Sequence, residues 1–262
     1  MSESARERAR VSRPILLISA AVWVLLVVDP GSTFSIAHCP VTDAGASPAS
    51  FRMLLAMNPV SSLAADWALM LAAMMLPTLI TPIRHVLDRS FKRRRPRAVA
   101  LFLLGYTSIW MAAGSVLVAA QLALSVLAPH SYLPAFGVGL IAFVWQCSPL
   151  KQRCLNRGHN HSELAAFGIA ADLDALRFGV AHGVWCVGSG WAVMLFPMLL
   201  PRGHSAAMAA VTVLMISEHL EAPRAPSWRL RGPGKLLRII GAQSRIRLQG
   251  LRSVSARPSS GT

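Results

Sequence analysis

Long apolar runs separated by short basic segments give this chain its pattern. Six runs stand out, about Pro14 to Val28, Leu63 to Pro82, Ala98 to Leu127, Leu133 to Cys147, Phe178 to Leu200 and His204 to Leu220. Roughly 20 apolar residues in an α-helix cross the hydrocarbon of a bilayer. The pattern therefore predicts an all-α polytopic membrane protein with about six transmembrane helices. The third run is the clearest, because Gln121 is its one strongly polar side chain and it carries no charge. Its small residues, Gly105, Ala112, Ala113, Gly114 and Ser115, let a neighbouring helix backbone come close. The first and fourth runs are short, and the sixth is the least apolar.

Charge gives the pattern an orientation. Of the 26 Lys and Arg residues, all but Arg52 and Arg202 fall on one side of a six-span chain. Cytoplasmic loops retain Lys and Arg, so both termini are expected in the cytoplasm of a bacterial cell, with the spans in its inner membrane. The segment from Arg84 to Arg97 is the strongest anchor. Three regions follow: a basic N-terminus over 1–13, a six-helix transmembrane domain over 14–221, and a basic tail over 222–262, disordered for much of its length. Within the tail, Lys235 to Leu251 alternates aliphatics with Arg; it reads either as a basic helix on an anionic membrane surface or as a solvated tail. The first run resembles a signal peptide, but Asp29-Pro30 ends it without a small-x-small site, so an uncleaved helix is expected. Between runs four and five, Ser162 to Leu176 is expected to be helical.

Composition agrees with the membrane reading, with 54% apolar and 14% charged residues. The net charge of +15 is accounted for by topology, so the lipid bilayer, and no nucleic acid, is the expected partner. No Ser-His-Asp arrangement, carboxylate pair or phosphate-cradling glycine loop is legible, which ranks an enzyme last among the functional readings. Spans nearly free of carboxylates also argue against a pump built on buried acids.

The remaining chemistry is that of soft metal ligands. His182 and Cys186 lie four residues apart in run five, which puts them on one helix face, and imidazole with thiolate suits copper or zinc. Met70 and Met74, one turn apart and sharing a face with Trp67, offer thioethers suited to copper(I). Met194 and Met198 are similarly spaced, though Met198 falls about 160° from His182 at 100° per residue. Cys147, Cys154, His159 and His161 cluster in sequence near the inner boundary, in no standard zinc spacing. His38-Cys39 lies in the long outer loop. Each has a plainer reading: histidine bonded to a neighbouring helix, methionine as packing, Lys151, Arg153 and Arg157 as topogenic charges. Glu218-His219 ends run six, with Arg177 or a tail arginine as the expected partner of the carboxylate.

Taken in order, these residues resemble a bacterial family of predicted metal-binding integral membrane proteins. The resemblance rests on Trp67-Ala-Leu-Met70-Leu-Ala-Ala-Met74-Met75-Leu-Pro77, Gly105-Tyr106 with Trp110, and Gln146-x-Ser148-Pro149-Leu150-Lys151-x-x-Cys154-Leu155. It continues through Gly179-x-x-His182-Gly183-x-x-Cys186-x-Gly188 and Trp191-Ala192-x-Met194. It implies a helical membrane scaffold and metal ligands at Cys154, His182 and Cys186. That family's pattern has further cysteines where this chain has Gly158, Ser189 and Gly190. Two readings follow: a soft-metal protein with a thinned or rebuilt site, or a scaffold that keeps the fold and contacts another membrane protein.

Overall fold

The computed structural model describes residues 3–28, 59–128, 131–160 and 162–232, with single positions at 52, 56 and between 234 and 245. His38, Cys39 and His161 lie outside the described residues, as does most of 235–251. The described chain is all-α: α1 Glu3–Val28, α2 Val60–Met75, a 3-10 turn Leu76–Leu79, α3 Ile80–Arg89, α4 Arg95–Leu127, α5 Leu133–Cys147, α6 Pro149–Gly158, α7 Gly168–Met198 and α8 His204–His219.

Among the described residues, four helical stretches are long and apolar enough to cross a membrane: 10–28, 60–89, 95–127 and 168–198. The α5–α6 pair, bent by 66°, makes a fifth if counted as one span. At 16 residues α8 is shorter than a full crossing. Length and composition thus account for four or five of the six expected spans.

Proline chemistry explains the breaks. Pro77 has no N–H to give the carbonyl of Ala73, four residues back, and the helix tightens there into the 3-10 turn. The freed carbonyl accepts a hydrogen bond from Ser19 Oγ at 2.7 Å, which docks α1 onto α2. Pro149 ends α5 in the same way. Ser148 before it is extended, as a residue preceding proline should be, and its hydroxyl accepts from Lys151 N at 3.1 Å to cap α6. That helix was not expected. Conversely, the stretch from Ser162 begins its helix only at Gly168, and that helix runs unbroken into run five.

Two long helices form the spine. A Cβ placed on Gly105 would meet the backbone of Leu176 and Val180, and one on Gly179 would run into the Phe102 carbonyl. Near their other ends Gln121 Nε2 donates to Met198 O at 2.8 Å, so α4 and α7 run parallel. The α5–α6 elbow returns the chain between them. Gly179 and Gly183 form a G-x-x-x-G face on α7, with Tyr106 O and Ile109 against Gly183. Trp67 of α2 fills a notch at Gly114 and donates from Nε1 to Trp110 O at 3.0 Å.

One end of the bundle gathers the charges. Asp172, in the first turns of α7, pairs with Arg94 at 2.7 Å and Arg97 at 2.8 Å. His85 Nε2 lies 3.0 Å from Ser162 O. The first part of the tail lies at this end too. Arg224 and Asn156 exchange two hydrogen bonds, at 2.6 and 3.1 Å, and Arg229 N donates to Cys147 O at 3.0 Å. Residues 222–232 therefore form an extended strap over α6, where the composition suggested a loose tail.

Candidate functional site

The face of α7 that looks into the bundle steps by four residues through His182, Cys186, Gly190 and Met194, all buried. His182 stands among the rings of Phe102, Tyr106 and Phe178, at centroid distances of 6.1, 5.8 and 6.1 Å. One turn further, Cys186 Sγ lies 3.4 Å from Tyr106 Oη. At Gly190 the missing side chain leaves a notch filled by Met215 of α8. A Cβ there would fall 2.6 Å from Met215 Cε and 3.6 Å from its sulfur.

Buried methionines share the core with this face. Met70, Met74, Met194 and Met215 are each 1% exposed and belong to the same apolar cluster as Cys186. Met70 and Met74 are both buried on α2. Met215 and Tyr106 were not singled out in sequence as ligand candidates. Met215 had a signal: Met208, Thr212, Met215 and His219 recur at 3.6-residue periodicity on α8.

The other candidates separate. Cys154 does approach α7, with Sγ 2.8 Å from where a Cβ on Gly188 would sit. Two residues along a helix are about 200° around it, so Gly188 and Cys186 face different neighbours. Cys147, half-buried at the α5 terminus, meets the strap through its carbonyl. His159 caps α6, with Nδ1 2.8 Å from Leu155 O and Nε2 3.0 Å from His219 O. Among the described residues, no three His, Cys, Asp or Glu side chains stand close enough to share a metal ion. The soft donors on the inward face of α7 are the thiol of Cys186, the imidazole of His182 and the thioether of Met194, with Met215 entering from α8 at Gly190.

Beside it lies a buried polar cluster. Lys151, read in sequence as a topogenic charge, is fully buried, and its Nζ lies 2.9 Å from Glu218 Oε2. Gln146 joins them, accepting from Lys151 and donating to Glu218. Arg231 of the strap is itself buried; Nε donates to Gln152 Oε1 at 2.8 Å and Nη1 to the carbonyls of Gln146 at 2.5 Å and Ser148 at 3.2 Å. Glu218 thus takes Lys151 as its ion-pair partner, and neither Arg177 nor a tail arginine. The expected tail arginine, Arg231, joins through hydrogen bonds to Gln152, Gln146 and Ser148 rather than by an ion pair with Glu218.

The model of one protein family, described as PpoB2: Copper chaperone, matches residues 64–243. No curated protein and no solved structure matches the chain.

Proposed function

The chain belongs to the PpoB2 copper chaperone family, and on that footing we propose that it takes copper(I) into a membrane-embedded helix bundle and hands it on. Cys186 is the principal ligand, His182 the imidazole one turn away, and methionines of α2, α7 and α8 the soft surround. The observation that carries this reading is Met215 seated in the Gly190 notch. Where the pattern that the chain resembles has a cysteine, a thioether from another helix fills the Gly190 notch, one helical turn from Cys186, so a soft donor is kept while a thiolate is lost. Neutral sulfur favours copper(I) over zinc, which prefers thiolate, imidazole and carboxylate. Cys154, which meets another face of α7 from α6, is not needed in this core.

Metal analysis tests the assignment. Purified protein loaded with copper(I) and desalted should retain the metal, and the Cys186→Ala, His182→Ala double variant should retain little. Equal content in the two would overturn it.

The bilayer reading rests on the apolar stretches and on the charged end of the bundle, where the strap, the α3–α4 turn and the start of α7 come together. In this reading all of these are cytoplasmic, the protein sits in the bacterial inner membrane, and α8 completes a sixth crossing. Reporter fusions in the 93–95 segment and after residue 262 should both report the cytoplasm, and a periplasmic signal from either would refute the topology. A purely scaffolding role has less to stand on, since Gly105, Gly179 and Gly183 are used within the chain; a partner protein would have to be met by another surface.

A further inference from the structure

A cavity of about 80 Å³ opens where the broken α2–α3 stretch meets the end of α6, the middle of α7 and the end of α8. Three imidazoles border it, His159, His182 and His219, together with Thr78 and Thr81. Such a volume is well above what one water needs, and polar, water-accessible space between transmembrane helices is where ion pathways run.

The three histidines are not equivalent. His219 Nδ1 lies 2.8 Å from Met215 O, a contact that only an N–H makes, so in the neutral ring the lone pair is on Nε2. A ring N–H held by a backbone carbonyl is the arrangement that orients a histidine as a metal ligand. His159 has a carbonyl oxygen at each ring nitrogen and is engaged in clamping α6 to the end of α8. His182 borders the cavity and lies one turn, about 6 Å of helix rise, from Cys186.

We infer that this cavity is a second, nitrogen-based station for copper(I), formed by His182 and His219, through which the ion moves between the cytoplasmic side and the thiol–thioether core. The inference rests on the copper reading above and extends it to His219, a residue outside that core. Two protein ligands suit a transit site: an ion that must move on is held by few donors, weakly enough to leave. Imidazole is an accepted copper ligand, and His182 belongs to both stations, so transfer to Cys186 needs only a one-turn step.

X-ray absorption at the copper edge on tag-free, full-length protein in detergent, loaded with excess copper(I) under ascorbate and desalted, tests this. The parent should show both sulfur and imidazole scattering. Cys186→Ala should keep bound copper with an imidazole-dominated spectrum, and His219→Gln should lower the imidazole contribution to that of His182 alone while sulfur scattering persists. Imidazole scattering that His219→Gln leaves unchanged, or complete loss of copper from Cys186→Ala, would overturn the station and leave the core reading standing; sulfur-only scattering in the parent would overturn the station and the place of His182 in the core. A parent that binds no copper at all would overturn both. If His219→Gln fails to fold, the Cys186→Ala spectrum decides.

Discussion

Replacing Lys151 with Met should destabilise the protein by about 3–5 kcal/mol, the cost of removing one member of a buried ion pair. Its partner Glu218 has 3% side-chain exposure and would keep a single strong donor, Gln146. Water cannot reach the orphaned carboxylate, so its desolvation is no longer offset. Thermal unfolding in detergent should fall by roughly 10 °C, at about 2–4 °C per kcal/mol for a chain of this size. The effect should spread, because Gln146 also meets the strap at Arg231 O at 3.3 Å, and α5, α6, α8 and residues 222–232 share one polar cluster. Adding Glu218→Gln to Lys151→Met should restore much of the loss, since a neutral amide costs far less to bury than a lone carboxylate. An unchanged melting temperature for Lys151→Met alone would show that the pair is not the keystone of that end.

Gly179→Ala should be the most damaging single-methyl change on the spine. The added carbon would run into the Phe102 carbonyl, and neither helix backbone can yield without separating α4 from α7. Overpacking costs typically about 1–3 kcal/mol, and here it meets rigid backbone on both sides. Function should suffer beyond stability, because Phe102 and Tyr106 hold the rings around His182 and Cys186. Copper retention and melting temperature should fall together. Gly137→Ala is the control: nothing lies within 4 Å of its added Cβ, and alanine is the better helix former by up to about 1 kcal/mol. If both variants melt alike, the close approach of α4 and α7 is not limiting.

Much of the local structure was legible because it depends on near neighbours. Leu133–Cys147 was bounded in sequence by the same residues that bound α5, since Pro149 cannot continue a helix and Ser148 caps the next. The α7 face carrying His182 and Cys186 follows from helical periodicity alone. Gln121, conspicuous in an apolar run, needed a partner, but only the parallel packing of α4 on α7 shows that it is Met198 O. Lys151 looked like one more cytoplasmic charge, because topogenic and buried lysines are indistinguishable until the chain folds back.

By itself, the sequence determined an all-helical chain of apolar segments, a thiol and an imidazole sharing one face of α7, and the basic bias at one end, since each depends on composition or on a helix repeat within a single segment. Tertiary structure alone decided that Met215 fills the Gly190 notch, that Cys154 packs from α6 against another face of α7, that Lys151 pairs with Glu218 and that three histidines share a cavity. Those are meetings between residues tens of positions apart. They are set by which helix surfaces fit closely enough to bury one another, and no local pattern encodes that choice.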